Sequence, residues 1–257
     1  MPPKRRAATD TETEENKRLK SVVDETAEEL VCAITMALPV DPVTAQDGHV
    51  YERSAITDWI AQGNGKSPKT NEPMGPALLP APQVKAMIRG MVKSGALTGD
   101  KAEAWEAKLQ EEEMVRRWRE AAEGGDGWAM YNMGIIYLHG MLGVRKDLAE
   151  GFRWCQRSAD AGCEDGVALL GNCYMYGHGV GKNTSLGLTY VTEGAKGGSQ
   201  YGCYWLGWYL AKGVNGLPKD DKQATKWFRK MQACTSWAAG PKTGEEAAAW
   251  LREHATD

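Results

Sequence analysis

Thiols and imidazoles are the side chains that most often act as nucleophiles or bind transition metals, and this chain has six cysteines and four histidines. The cysteines are scattered and form no C-x-x-C pair, whereas structural zinc sites usually take their ligands from closely spaced pairs. We therefore expect no metal site and no cofactor, and interpret the cysteines as small buried residues of a reducing compartment. A catalytic thiol remains an alternative. His139 and His178 lie at predicted turns, and we interpret them as turn residues.

The composition is that of an ordinary globular protein. Of its 257 residues, 42% are apolar and 25% are charged, and the formal net charge is -3. Such a balance does not favour nucleic acid or an anionic membrane as a partner. No apolar run approaches the roughly 20 residues of a membrane helix, and the charged N-terminus lacks the apolar core of a secretory signal. We expect neither nucleic acid nor membrane among the partners.

Residues 1–24 are polar and show no periodicity, which predicts a disordered tail. Two basic clusters, Lys4–Arg6 and Lys17–Lys20, flank the ten residues from Ala7 to Asn16. This arrangement resembles a bipartite nuclear-import signal, so we expect a cytoplasmic or nuclear protein or one that occupies both compartments. The alternative is a solvated charged tail without a targeting role.

Residues 25–94 have the pattern of a small α+β module. An Asp47-Gly48 turn between Val43 and Val50 predicts a β-hairpin. Apolar residues at helical spacing then predict a helix over residues 52–62, and a second helix is expected over 83–93. A loop rich in glycine and proline separates the two helices, so the polar groups of this module must come largely from turns and loops.

The rest of the chain reads as helices, with a connecting segment over 95–120 and repeats over 121–235. Gly134, Gly171 and Gly207 recur 37 and 36 residues apart, and another glycine follows each after six residues. A large aromatic residue, Trp154, Tyr190 or Trp227, recurs 19 or 20 residues after each first glycine. This period predicts about three stacked helical hairpins. A closing helix is expected within 236–257, because stacked repeats need a cap for their last apolar face.

The first module resembles the U-box family. The resemblance is carried by Cys32-Ala33-Ile34-Thr35, Asp41-Pro42-Val43, the run Asp47 to Arg53, Ala55-Ile56, Trp59, Ser67-Pro68-x-Thr70-x-x-Pro73 and Leu79. The repeats resemble the Sel1-like branch of the tetratricopeptide-type repeats, through Tyr131-x-Met133-Gly134-x-x-Tyr137-x-x-Gly140, Gly177-x-Gly179-Val180, Trp154 and Ala159-x-Ala161-Gly162. The expected fold class is therefore α+β: a small, zinc-free, RING-like U-box followed by an all-α solenoid of Sel1-like hairpins.

The U-box resemblance implies a ubiquitin ligase that forms no covalent intermediate and has no catalytic residue of its own. Such a protein binds a ubiquitin-charged conjugating enzyme and restrains the ubiquitin for attack by a substrate lysine. The resemblance implies a docking groove of Ile34, Met36, Trp59 and Pro68, and Asn71 as the residue that bridges ubiquitin and the enzyme. Backbone donors in the loops need partners, and the polar side chains expected to supply them structurally are Asp47 and Glu52.

The sequence is compatible with several alternatives. Ile34 and Trp59 could be core residues instead of docking residues. Ala33, Ala37 and Asn71 depart from the family pattern and favour a second hypothesis, a non-catalytic scaffold with a degenerate U-box. The repeats are expected to recruit a protein substrate or adaptor, with Trp205 and Trp208 as surface candidates that could instead pack against the cap helix. A homodimer is a further possibility.

Overall fold

The computed structural model describes residues 6–234 and 240–254, and these residues form two compact units. The first unit extends to Glu112 and the second begins at Glu113. The boundary therefore falls within a long helix, α4, which spans Asp100–Glu123. Within the described residues, no helix is long and apolar enough to cross a membrane.

A three-stranded antiparallel sheet organises the first unit. The central strand β1 (Pro42–Ala45) pairs on one side with β2 (Val50–Glu52) and on the other with β3 (Leu78–Pro80). The predicted Asp47-Gly48 turn connects β1 to β2, with Gly48 at φ +79°. Such a left-handed conformation is one that glycine adopts without strain.

Two helices complete the predicted module: α2 (Arg53–Ala61) follows β2 directly, and α3 (Pro82–Lys93) follows β3. One apolar cluster joins the sheet to α2, and its buried members are Cys32, Val43, Ala45, Tyr51, Ile56 and Met74. A second cluster joins α3 to the first part of α4, where the buried Trp105 donates its indole N–H to the Pro39 carbonyl at 3.0 Å. The fold is therefore a small α+β unit with two adjoining cores.

The expectation of a disordered tail over 1–24 is wrong for residues 6–24, because α1 runs from Arg6 to Glu29, and residues 1–5 lie outside the described part of the chain. Val23, Ala27 and Leu30 recur at the spacing of one helix face and pack against the cluster that contains Trp105. The polar composition of the first 24 residues concealed this stripe, most of which lies after them. Of the first basic cluster, Lys4 and Arg5 lie outside the described residues.

The second unit is an array of helical hairpins. The three pairs are α5 (Gly127–His139) with α6 (Leu148–Asp160), α7 (Glu164–Tyr176) with α8 (Thr184–Gly197), and α9 (Gln200–Lys212) with α10 (Asp221–Ala233). The first helix of each hairpin ends at Gly140, Gly177 or Gly213 in the left-handed conformation, as the glycine spacing predicts. A final helix, α11 (Gly240–His254), packs against α10.

The regular spacing of Gly134, Gly171 and Gly207 reflects close helix packing in the described structure. A Cβ at Gly171 would lie 2.7 Å from the Gly187 carbonyl oxygen and 2.7 Å from the Val191 nitrogen. At Gly134 the nearest atom would be the Cys155 sulfur, at 2.9 Å. The prediction that a small residue lets two helices approach is therefore confirmed at these positions.

Candidate functional site

Two loops flank α2 in the first unit: loop 1 comprises residues 31–41 and loop 2 comprises residues 62–77. Loop 1 turns tightly, because the Cys32 and Ala37 backbones pair and the Met36 N–H donates to the Cys32 carbonyl at 2.8 Å. Met36 has φ +54°, and 76% of its surface is exposed. Ile34 is half-buried against the core beneath the sheet. The turn thus presents one exposed and one partly exposed apolar side chain.

Loop 2 is closed by backbone hydrogen bonds between Ser67 and Glu72 at 2.8 Å and between Asn71 and Ser67 at 3.0 Å. Asn71 is exposed and has φ +62°, a conformation that asparagine tolerates better than most residues. Pro68, three residues earlier in the sequence, is half-buried. The loop therefore holds a polar side chain and a proline on a short, internally bonded turn.

Trp59 connects α2 to loop 2. Its indole N–H donates to the Lys66 carbonyl at 2.8 Å, and the Asn64 side chain donates back to the Trp59 carbonyl at 3.1 Å. The ring is half-buried and packs against the same core as Ile34. Trp59 therefore has a structural contact as well as an accessible part, so the core and docking interpretations are compatible for this residue.

Asp47 is the centre of a hydrogen-bond network between the β1–β2 turn and loop 2. Its carboxylate accepts from the Ser67 hydroxyl at 2.5 Å, the Tyr51 hydroxyl at 2.7 Å and the His49 N–H at 3.0 Å. Ser67 is buried, and its oxygen also accepts from the N–H groups of Lys69 and Thr70. The Asp47 carboxylate thus orders the segment of loop 2 around Ser67, directly before Pro68.

The network also determines the protonation of its members. Burial opposes ionisation of Asp47, but the hydroxyls of Ser67 and Tyr51 and the His49 N–H stabilise the carboxylate more strongly, so its pKa is lowered. Burial, together with the adjacent Asp47 charge, raises the pKa of Tyr51 to about 12. Asp47 is therefore an acceptor and Tyr51 a donor at neutral pH.

Glu52 supports loop 1 in a similar way. Its carboxylate accepts from the Val40 N–H at 2.8 Å and from the Asp41 N–H at 3.3 Å. The neighbouring Arg53 pairs with the Asp41 carboxylate, with 2.6 Å between Nε and Oδ2. These contacts fasten the end of loop 1 to the start of α2.

Two contributors were not among the residues singled out from the sequence. Tyr51 is fully buried and joins Asp47 to the core, and the Gln46 side chain accepts from the Gly75 N–H at 2.6 Å. The tyrosine belongs to the family pattern and has a hydroxyl that needs a partner when buried, which is a usable signal. Nothing in the sequence distinguishes Gln46 from any other exposed turn residue.

The cysteines and histidines form no group of three or more potential metal ligands in the part of the chain that the structure describes. Cys155 and Cys173 are buried with their sulfurs 3.8 Å apart. Burial and the contact with Cys173 raise the pKa of the Cys155 thiol, which disfavours the reactive thiolate.

In the second unit, four of the five aromatic residues on α9 lie within six residues, and these four differ in burial. Tyr204 and Tyr209 are buried, and their hydroxyls bond to Glu246 of α11 and to Asn172, respectively. Trp205 and Trp208 are half-buried and contact each other with 5.9 Å between ring centroids. Packing toward the cap helix thus involves Tyr204, whereas the two tryptophans keep part of their surface accessible.

Comparison with known proteins agrees with this geometry. The U-box domain model matches residues 26–95, and the Sel1 repeat model matches residues 129–163, 165–199 and 200–231. The class defined by the fold is thus a small α+β module followed by helical repeats. This chain contains a U-box domain followed by Sel1 repeats.

Relatives share the first module. "WD repeat, SAM and U-box domain-containing protein 1" of Danio rerio is 43% identical over 65 residues, which are 25% of this chain and 13% of the relative. "U-box domain-containing protein 19" of Arabidopsis thaliana is 37% identical over 76 residues, 29% of this chain and 11% of the relative. "Putative E3 ubiquitin-protein ligase LIN-1" of Lotus japonicus is 42% identical over 52 residues, which are 20% of this chain and 4% of the relative. The matches therefore span 13% or less of these three relatives.

Among solved structures, the chain is similar to a Sel1 repeat protein from Oxalobacter formigenes, with 29% identity, a TM-score of 0.38 and coverage of 53% of this chain and 98% of that chain. It is also similar to Helicobacter pylori cysteine rich protein B, with 20% identity, a TM-score of 0.39 and coverage of 55% of this chain and 95% of that chain.

Proposed function

We propose that this protein is a ubiquitin ligase that binds a ubiquitin-charged conjugating enzyme through loop 1, α2 and loop 2. The observation that carries the proposal is the exposure of Met36 on loop 1, together with the half-buried Ile34 of loop 1, Trp59 of α2 and Pro68 of loop 2. The U-box match and the ligase name of a U-box relative support the same activity. The proposed partners are the conjugating enzyme, ubiquitin and a protein substrate.

The chemistry in this proposal belongs to the thioester of the conjugating enzyme. The U-box contributes positioning, since a restrained thioester reacts more readily with a substrate amine. Asn71 is proposed to contact both ubiquitin and the enzyme, because its exposed amide can donate and accept hydrogen bonds. It is uncharged, so the bridge is weaker than one formed by a charged donor.

Loop geometry is compatible with rigid presentation of these groups. The Ser67–Asp47 hydrogen bond restrains loop 2, and the Glu52 carboxylate restrains the end of loop 1. Rigid loops lose less conformational entropy on binding, and this smaller entropic cost matters most for the affinity of a small interface. Asp47 and Glu52 are therefore positioning residues in the proposal.

An autoubiquitination assay with the full chain and a panel of conjugating enzymes tests the proposal. We expect products that Met36→Ala and Ile34→Ala reduce about 5- to 150-fold, as loss of an apolar anchor costs about 1–3 kcal/mol. Met87→Ala is the matched control, because Met87 is 49% exposed on α3, away from the two loops in sequence. Absence of product with every enzyme would support the scaffold hypothesis instead. Unfolding of Ile34→Ala by circular dichroism would assign that residue to the core.

We also propose nuclear import through the basic clusters Lys4–Arg6 and Lys17–Lys20. Lys17, Arg18 and Lys20 are exposed on α1, which leaves them accessible to a receptor. Replacing these three residues with alanine in a fluorescently labelled full chain should reduce its nuclear fraction. An unchanged distribution would contradict an import role for the second cluster.

A further inference from the structure

The three loops that connect the two helices of each hairpin are unusually basic. Residues 139–146, 176–182 and 212–219 contain no Asp or Glu, although the whole chain has 34 acidic residues. They contain seven basic or imidazole side chains: His139, Arg145, Lys146, His178, Lys182, Lys212 and Lys219. We call this set the basic loop row. Its charge contrasts with the net charge of -3 of the chain.

The fold places equivalent basic residues at equivalent points of successive hairpins. The end of each loop folds back onto the glycine that caps the first helix of the hairpin. A Cβ at Gly140 would lie 3.0 Å from the backbone nitrogen of Lys146, and a Cβ at Gly213 would lie 3.0 Å from that of Lys219. At Gly177 the corresponding contact is the Lys182 Cβ, at 3.4 Å. The three lysines therefore repeat with the hairpins.

The acidic residues that follow these loops are engaged locally. Asp147 and Asp220 cap α6 and α10 by accepting from the N–H groups of Glu150 and Gln223, each at 2.9 Å. Asp221 pairs with Lys219 at 3.4 Å. Lys146 and Lys182 are exposed, and the ion pairs of the described residues do not include them. Lys146 and Lys182 thus keep their charge available on the first two loops.

Apolar surface accompanies the basic groups. Tyr176 is 42% exposed and stacks on His178 with 5.8 Å between ring centroids, and Met141 in the first loop is 46% exposed. Tyr176 also lies 6.4 Å from the Trp205 ring, so the row continues into the half-buried tryptophans of α9. A ligand that fits this surface carries both negative charge and apolar side chains.

We infer that the basic loop row binds an extended acidic segment of a partner protein, with carboxylates at every third residue and apolar residues between them. The spacing follows from the packing of α7 against both α5 and α9, since packed helices lie about 8–10 Å apart. An extended chain advances about 3.3 Å per residue, so three residues cover about one hairpin. The inference rests on the expectation that the repeats recruit the protein substrate of the proposed ligase or an adaptor, and it specifies the chemistry of the recruited segment.

A long polyanion such as RNA fits these observations less well. The net charge of -3 opposes general attraction to nucleic acid, and Met141 and Tyr176 offer apolar contacts between the cations. Both ligands would respond to the same lysines, so competition with RNA is needed to tell them apart.

Calorimetric titration of the full chain with two synthetic peptides of equal composition tests the inference. The first peptide, acetyl-Glu-Pro-Val-Glu-Pro-Val-Glu-amide, has the required spacing, and the second, acetyl-Glu-Glu-Glu-Pro-Val-Pro-Val-amide, does not. We expect the spaced peptide to bind several-fold more tightly and its binding to weaken with added salt. Equal affinity for the two peptides, or no binding to either, would overturn the inference.

Charge-reversal variants locate the binding. Lys146→Glu with Lys182→Glu should weaken the spaced peptide about tenfold, since each exposed ion pair contributes modestly. Lys222→Glu with Lys226→Glu is the matched control, because it changes the net charge equally at exposed positions on α10. Equal loss in both double variants would show a general charge effect and contradict the assignment. Displacement of the peptide by single-stranded RNA at lower concentration would assign the row to nucleic acid and also overturn it.

Histidine NMR provides a second readout. Burial and the Lys146 charge lower the pKa of His139, and burial, Lys146 and His139 lower that of His178. A carboxylate bound beside them should raise both values, so the peptide should bind more tightly at pH 5.5 than at pH 7.5. Unchanged His139 and His178 titrations at saturating peptide would contradict binding at this row.

Ubiquitin transfer and peptide binding can fail separately. Autoubiquitination that persists while the spaced peptide does not bind would reject this inference and leave the proposed ligase activity intact. Peptide binding without any ubiquitin transfer would reject the ligase activity and retain the assignment of the row.

Discussion

Replacing Asp47 with alanine should loosen the β1–β2 turn and loop 2 of the U-box while leaving the repeats unchanged. The carboxylate accepts three hydrogen bonds, from Ser67, Tyr51 and His49. A hydrogen bond to a charged group contributes about 1.5–3 kcal/mol. Because the hydroxyls of Tyr51 and Ser67 lie 3.4 Å apart and can partly satisfy each other, the three contributions do not add. We therefore expect a loss of about 3 kcal/mol in the local stability of this unit.

Hydrogen-exchange mass spectrometry measures this loss by region. The ten tryptophans of the chain make whole-protein fluorescence a poor reporter of one unit. Peptides covering 41–53 and 64–74 should exchange roughly 100-fold faster in Asp47→Ala, whereas peptides from α7 should be unchanged. Glu72→Ala, an exposed carboxylate in the same loop, is the control and should have little effect.

A double-mutant cycle with Ser67→Ala isolates the bond between the two residues. We expect a coupling energy of about 1.5–3 kcal/mol, because the pair is charged and the serine is buried. If Asp47→Ala changes exchange in both peptides by less than about threefold, or the coupling energy is near zero, then other contacts hold the loops together and this explanation of their rigidity is wrong.

Three further predictions follow from particular contacts. The pKa of Asp47 is lowered from 3.8 in the folded protein, so its contribution to stability is present above about pH 4 and is lost as the pH falls through the folded-state value. The protection factors of 64–74, which correct for the pH dependence of intrinsic amide exchange, should therefore fall on acidification in the wild type and not in Asp47→Asn. Gly171→Ala should destabilise the repeats by about 1–3 kcal/mol in a denaturant titration, because its Cβ meets backbone atoms, whereas Gly181→Ala, with nothing within 4 Å, should not. Asn71→Arg should speed ubiquitin discharge several-fold by adding a charged donor, although the φ of +62° at this position costs about 1–2 kcal/mol in any residue that disfavours that conformation. Asn71→Gly, which keeps the backbone conformation and removes the side chain, should slow ubiquitin discharge.

The repeat period was the most informative feature of the sequence for the fold. Gly140, Gly177 and Gly213 indicate helix ends because a left-handed cap favours glycine, and the structure confirms all three. Periodicity reports on the solenoid because each hairpin makes the same contacts with its neighbour. Residues 6–24 show the opposite case, since the helix that contains them packs through a stripe against a distant part of the chain.

Part of the candidate site was predictable from the sequence. Asp47 and Glu52 could be singled out because short loops leave backbone donors that need acceptors. Sequence reasoning could not show that Ser67 and Tyr51 share the Asp47 carboxylate, since that depends on how loop 2 folds back 20 residues later. The exposure of Met36 likewise depends on a left-handed turn that its residue type does not favour.

Single-turnover discharge of a preformed conjugating enzyme–ubiquitin thioester onto free lysine is the measurement that tests the central claim most directly. Because free lysine replaces the substrate, the result does not depend on what the repeats recruit. With a responsive conjugating enzyme, the full chain should accelerate discharge, and Met36→Ala should remove most of that acceleration while Met87→Ala retains it. No acceleration by the intact chain with any conjugating enzyme, or equal activity of the two methionine variants, would contradict the proposed docking surface.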